Sequence, residues 1–153
     1  MINLTSLDIT NKNLVIRVDM NVPIQNGIVT DTSRIRACIP TIKLALENNA
    51  KVLLISHLGR PEEGKFEEKF SMKPVAKSLS SILNEEVGLI DRLDSEEIFK
   101  SSLSIQILEN IRFFKGEKAN DKDLGNTLAN LGDIYVFDAF GTAHREQAST
   151  HSA

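Results

Sequence analysis

The chain contains seven arginines, and four of them, Arg34, Arg60, Arg112 and Arg145, stand in or close to short polar clusters. The clusters are Asp19 and Asn21, then His57 and Gly59, then Glu109 and Asn110, then Asp138, Gly141, Thr142 and His144. Arginine presents a planar fork of N–H donors that matches a phosphate or carboxylate with two bonds at once. Guanidinium groups gathered at one place repel one another unless an anion bridges them. A pocket for a small polyanion is one reading of the set. The other is that each arginine pairs with a nearby carboxylate, with Asp19, Glu109 and Asp138 as the candidates. Taken singly, each arginine favours pairing. What decides is where the clusters sit in the fold.

Five apolar runs, rich in Val and Ile and without strict polar alternation, predict buried strands at Leu14–Val18, Lys51–Ser56, Val87–Ile90, Ile105–Leu108 and Ile134–Phe137. Helix-like segments lie between them. Ala37–Asn48 carries apolar Ile42, Ala45 and Leu46, with Pro40 acceptable only in a first turn. Lys73–Leu83 opens with Pro74, a residue favoured at a helix start. Asp94–Lys100 and Asp121–Asn130 each begin with Asp, a good N-cap. Gly64 and the charged stretch Glu62–Lys69 predict an exposed loop. Strands alternating with helices imply βαβ units. The expected fold is α/β, a Rossmann-like parallel sheet with helices on both faces, a three-layer α/β/α arrangement.

In such sheets ligands bind beyond the carboxyl ends of the strands. Each polar cluster follows one of the predicted strands, so four strand ends on one edge carry them, and together they favour the anion pocket over separate ion pairs. A dinucleotide-binding domain fits poorly, because Asp19–Met20–Asn21 follows the first strand where a glycine-rich turn would be needed. Other reactive residues have simpler readings. Cys38 is expected to be a small apolar residue on a packed helix face. His57 is expected to bind rather than to shuttle protons, His144 to support a turn, and His151 to do neither. The Phe113–Phe114 pair is expected to serve the core or a domain contact. No metal-ligand spacing is evident.

The whole-chain properties set bounds. The length of 153 residues suffices for one domain, and the 41% hydrophobic and 25% charged residues are ordinary globular usage. The net charge of −3 and pI near 5.6 point to neither nucleic acid nor anionic membrane as partner. One cysteine forbids an intrachain disulfide and suits a reducing compartment. Met1–Lys12 is polar and lacks a signal-peptide core, so a cytoplasmic protein is expected. The chain stops at Ser152–Ala153 with no capping signal, which suggests a truncated or proteolysed product.

These segments resemble phosphoglycerate kinase. Arg17–Val18–Asp19–Met20–Asn21–Val22–Pro23 is similar to the family's RVDFNVP, with Met20 for Phe. Arg34–Ile35–Arg36–Ala37, continuing through Ile39–Pro40–Thr41–Ile42, is similar to RIRAALPTI, with Cys38 for Ala and Ile39 for Leu. Ser56–His57–Leu58–Gly59–Arg60–Pro61 matches SHLGRP in full, and Leu108–Glu109–Asn110–Ile111–Arg112–Phe113 resembles LENLRF. Asp138–Ala139–Phe140–Gly141–Thr142–Ala143–His144–Arg145 matches DAFGTAHR in full. The motifs run from Leu14 to Arg145 in the family's order, with Glu62–Ser104 as variable filler.

The resemblance implies roles. Asp19 and Asn21 would hydrogen-bond the glycerate hydroxyl and carboxyl end. His57, Arg60, Arg112 and Arg145 would surround the substrate phosphate. Arg34 would be the catalytic arginine at the group in transfer, and Arg36 would pack at the helix start. Glu146, where the family often has Ala, adds negative charge beside Arg145. The implied activity is the glycolytic kinase reaction: reversible phosphoryl transfer between 1,3-bisphosphoglycerate and ADP, giving 3-phosphoglycerate and ATP. Residues 1–153 would form a single N-terminal substrate-binding domain. The C-terminal domain that binds Mg–ATP or Mg–ADP has no counterpart here, nor is there a GxxxxGK[ST] phosphate loop. The chain would then bind no metal or nucleotide itself, turn over little or nothing alone, and belong to an enzyme that is monomeric at full length. The reading from another class is a stand-alone binding module for phosphorylated metabolites. A second domain downstream of Ala153 in the reading frame would support the enzyme, and a stop codon the module.

Overall fold

A computed structural model of the chain describes residues 8–62, 64–93, 95–114 and 122–138. Five strands, β1 (Asn13–Val18), β4 (Lys51–Ile55), β5 (Val87–Ile90), β6 (Ile105–Leu108) and β7 (Ile134–Asp138), form one sheet in the order β5-β6-β4-β1-β7. Every neighbouring pair is parallel. The expected strands are therefore present, each within a residue of its expected bounds. Two further strands, β2 (Ile24–Gln25) and β3 (Ile28–Val29), make a small antiparallel hairpin that the apolar pattern did not predict. Its signal is Asn26–Gly27, both at positive φ (52° and 74°), the pairing that a tight hairpin turn demands.

The helices are α1 (Ser33–Glu47), α2 (Lys73–Leu83), α3 (Ser95–Ile98) and α4 (Lys122–Ala129). The first two crossovers, through α1 and α2, step from β1 to β4 and on to the β5 edge. The next two, through α3 and α4, return across the sheet to β7 on the far side of β1. Parallel crossovers keep one hand, so reversing the direction of travel moves the helices to the opposite face. The core divides accordingly. Leu14, Ile16, Leu54 and Ile107 of the sheet pack with Ile35, Ile42, Val75 and Leu79 of α1 and α2. Val15, Leu53, Ile55 and Leu108 pack with Ile98 of α3 and Leu124 and Leu128 of α4. Both faces are covered, which is why the strand sequences show continuous apolar runs.

Helix α1 departs from the sequence expectation. It starts at Ser33 rather than Ala37, so Pro40 lies in its interior, not its first turn. Proline has no N–H to give the carbonyl one turn earlier, a defect worth roughly 3 kcal/mol in an isolated helix. The helix continues because Ile35, Cys38, Ile42 and Ala45 bury one face against the sheet. Cys38 is thus a packed, buried residue, with its thiol near the Arg34 carbonyl at 3.3 Å. Helices α3 and α4 lie inside their expected spans, whose Asp94 and Asp121 caps fall outside the described residues. No helix among the described residues is long and apolar enough to cross a membrane.

The register of β7 on β1 is fixed by a close approach just before the strand. The Asn13 N–H donates to Asp133 Oδ2 at 2.8 Å, and the Asp133 N–H donates to the Asn13 carbonyl at 2.7 Å. A Cβ on Gly132 would lie 2.6 Å from that same carbonyl oxygen, so only glycine fits. Gly132→Ala is expected to destabilise the chain by about 1–3 kcal/mol, the usual cost of overpacking. The urea midpoint should fall, and hydrogen exchange should accelerate at Ile134–Val136 before it does at Val52–Leu54.

Candidate functional site

Strand β4 lies at the centre of the sheet, and its carboxyl end runs into Ser56–Arg60. The loops that follow its neighbours, Asp19–Asn21 after β1 and Glu109–Arg112 after β6, flank this segment on either side. Ser56 ties the ends together. Its hydroxyl accepts from the Met20 N–H at 2.9 Å, and its carbonyl accepts from the Ile111 N–H at 3.0 Å.

Gly59 joins the flanking loops through its own peptide groups. Its N–H donates to Asn21 Oδ1 at 3.0 Å, and its carbonyl accepts from Arg112 Nη1 at 2.8 Å. Asn110, fully buried, holds the same loop from below: its Nδ2 donates to the Leu58 carbonyl at 2.6 Å and to the Phe70 carbonyl at 3.0 Å, while its Oδ1 accepts from the Arg112 N–H at 3.1 Å. Arg112 is thereby fixed at both its backbone and its guanidinium, and is 5% exposed.

Helix α1 supplies Arg34 from its first turn, whereas the expected helix began only at Ala37. Two arginines, Arg34 and Arg36, stand in that turn, where the helix dipole disfavours cations. Arg36 is tied locally, its Nε donating to Thr32 Oγ1 at 3.0 Å, in keeping with a role at the helix start. Arg34 Nη1 donates to the Asn21 carbonyl at 2.7 Å and lies 3.4 Å from Asp19 Oδ1. With Arg34 54% exposed, this ion pair is screened and is worth at most about 1 kcal/mol. Just ahead of the helix, the Ser33 hydroxyl and then the Ser33 N–H hold the Asp31 carboxyl below its ordinary value. The turn that carries Arg34 is therefore firmest above the carboxylate range, and loosens as pH falls through the lowered value.

Of the carboxylates expected to pair, the Asp138 side chain lies outside the described residues, and the other two differ. Asp19 does face Arg34, but buried Glu109 serves another purpose. Its carboxylate accepts from the Ser71 hydroxyl and the Met72 N–H, both at 2.7 Å, at the amino end of α2. That is where an anion is favoured by the helix dipole and by free N–H groups. Arg60 is exposed and makes no ion pair among the described residues. Asp19, Asn21, Arg34, His57, Arg60 and Arg112 are thus gathered at one edge, whereas Arg145, Gly141, Thr142 and His144 fall outside the described residues. Phe113 does not stack face to face with Phe114. It meets Phe66 edge-on at 5.2 Å, and Phe114 packs against the second core.

Arg17 opens the first motif but was given no role there. It lies in β1 on the same face as Val15 and is fully buried, with Nη1 donating to the carbonyls of Val18 at 3.2 Å and Ile55 at 3.4 Å. Its Nη2 lies 3.2 Å from Nδ1 of His57, itself 4% exposed. A lone arginine inside NLVIRV was the available signal, since a charge in a buried strand needs a built partner set.

The Gly59 joint makes a prediction. Its φ is +60°, and a Cβ there would sit 2.5 Å from the Phe70 ring. Gly59→Ala is expected to cost about 1–2 kcal/mol from the left-handed backbone alone, with the clash added. Adding Phe70→Leu should recover only the steric part. A double-mutant cycle of urea midpoints checks this; complete recovery would show that the backbone conformation carries no cost.

The family model for phosphoglycerate kinase matches residues 4–153. The chain is 50% identical over 147 residues to a phosphoglycerate kinase of Desulfovibrio desulfuricans, covering 96% of this chain and 37% of that protein. It is 49% identical to that of Legionella pneumophila, covering 99% of this chain and 38% of the relative. Among solved structures, phosphoglycerate kinase from Coxiella burnetii superposes with a TM-score of 0.88 at 46% identity, over 99% of this chain and 38% of the other. The Pyrococcus horikoshii enzyme gives 0.80 at 31% identity, over 97% of this chain and 39% of the other. The chain spans well under half the length of these relatives, and over that span it belongs to the phosphoglycerate kinase family.

Proposed function

We propose that the chain is the substrate-binding half of a phosphoglycerate kinase, taking 3-phosphoglycerate or 1,3-bisphosphoglycerate at the carboxyl edge of its sheet. The observation that carries this is the Gly59 peptide, which ties Asn21 on one side to Arg112 on the other. Asp19 and Asn21 bind the glycerate end, and His57, Arg60, Arg112 and Arg145 surround the phosphate. Arg34 acts on the phosphoryl group in transfer. Its exposed, screened ion pair with Asp19 is weak enough to exchange for an anionic oxygen. Phosphoryl transfer depends on in-line placement and charge neutralisation rather than on acid–base chemistry. A preset guanidinium stabilises charge where it develops, so a site with arginines and no nucleophile–base pair suits the reaction.

Nucleotide, as Mg–ATP or Mg–ADP, is assigned to the larger remaining part of such an enzyme, which supplies the phosphoryl donor or acceptor. Residues 1–153 act as one substrate domain, within a cytoplasmic, monomeric enzyme at full length that has no nucleic acid or membrane partner.

Calorimetric titration of the chain with 3-phosphoglycerate should show saturable binding that weakens as salt rises. Arg60→Ala should weaken it about ten- to hundredfold, the range for losing a hydrogen bond to a charged group. A folded chain that takes no ligand at millimolar concentration overturns the proposal. A coupled assay should find no appreciable turnover; robust activity would mean the chain binds nucleotide itself.

A further inference from the structure

The buried contact between Arg17 and His57 has a chemical direction. A guanidinium carries N–H donors and no acceptor, and it stays protonated in proteins. Where Arg17 Nη2 meets His57 Nδ1 at 3.2 Å, the imidazole nitrogen is therefore the acceptor. A nitrogen that accepts has no proton, so the proton of the neutral ring sits on Nε2. Putting a proton on Nδ1 would set a second positive charge against the guanidinium where both side chains are buried, Arg17 at 0% and His57 at 4% exposure.

Strand geometry makes the contact durable. Arg17 pairs with Ile55 across β1 and β4, and side chains two residues apart in an extended segment point the same way, so His57 follows Ile55 toward Arg17. The carbonyls of Val18 and Ile55 take up Arg17 Nη1, which fixes the fork and leaves Nη2 facing the ring.

We propose that Arg17 is a positioning residue that holds His57 as the neutral tautomer protonated at Nε2, so that His57 offers a bound anion one directed N–H and no charge. His57 then differs in kind from the arginines around it. It adds direction to the site without adding to their mutual repulsion, and its filled Nε2 takes no proton from a substrate. The tautomer is argued from the Arg17 contact; its use toward 3-phosphoglycerate rests on the function proposed above.

The test is nitrogen NMR on the chain labelled with 15N-histidine. Three histidines are present, and the His57 signals are identified by their loss in H57Q. At pH 7.5, long-range proton–nitrogen correlations should show Nδ1 with the shift of a bare ring nitrogen and Nε2 with that of a protonated one. The opposite tautomer, an averaged pair or a doubly protonated ring overturns the proposal. In R17M the two nitrogen shifts should move toward each other as the preference is lost. An unchanged tautomer in folded R17M overturns the role of Arg17. If R17M does not fold, nuclear Overhauser contacts between the Arg17 guanidinium protons and the His57 ring in the parent chain take its place, and their absence is decisive against the role. Titration with 3-phosphoglycerate should then shift the Nε2 proton. If other resonances respond and this one does not, the donor role toward ligand fails while the tautomer stands. If nothing responds, the substrate reading fails instead.

Discussion

The peptide on either side of Gly59 faces two ways, and the carboxyl edge is organised around it. Its N–H reaches the Asn21 side chain beyond β1, and its carbonyl reaches Arg112 beyond β6. Those two loops share no segment of sequence; what relates them is that β4 runs between their strands. The backbone must turn through a left-handed conformation at this point, and the Phe70 ring occupies the space a side chain would need. Shape and hydrogen bonding thus make the same demand of one residue. Only the Gly59 half of this coupling is backbone; exchanging the Asn21 or the Arg112 side chain would undo it.

Around this joint the chain places charges where stability alone would not. It carries a net charge of −3, yet it buries the guanidinium of Arg17 and nearly buries that of Arg112. It sets Arg34 and Arg36 in the first turn of α1, with no acidic residue in that turn. Local rules broken together at one edge are the mark of a site kept for binding. Elsewhere the same rules are obeyed: Glu109 sits at the amino end of α2, where its charge is favoured by the dipole and met by hydrogen bonds. Glu109 is thus a carboxylate used for folding, although it lies three residues from Arg112 at the same edge.

Much of this could be read from the residues. The sheet strands announced themselves as Val- and Ile-rich runs because both faces are covered. The sheet edge followed from where the polar clusters fell. What was missed has physical causes. Pro40 was placed in a first turn because an isolated helix would require it there, but burial of Ile35 and Ile42 against the sheet outweighs that preference. The Asn26–Gly27 hairpin was overlooked because its strands are too short to show any alternation. Glu109 looked like a partner for an arginine because Met72, whose N–H it accepts, is distant in sequence. Arg17 was absorbed into an apolar run, and only the fold shows that its partner is His57.

The pairing of β1 with β7 has a consequence in time. Asn13 and Asp133 are 120 residues apart, yet each donates its backbone N–H to the other. At a synthesis rate of roughly 5–20 residues per second, one edge of β1 waits on the order of ten seconds for its partner to be made. During that interval an apolar strand with unpaired backbone groups is open to any other chain that presents a matching edge. The helices on one face can already cover Leu14 and Ile16, but no strand among the described residues upstream of residue 134 pairs with that side of β1. The nascent protein is most vulnerable there, and a holding chaperone would have most to protect at β1.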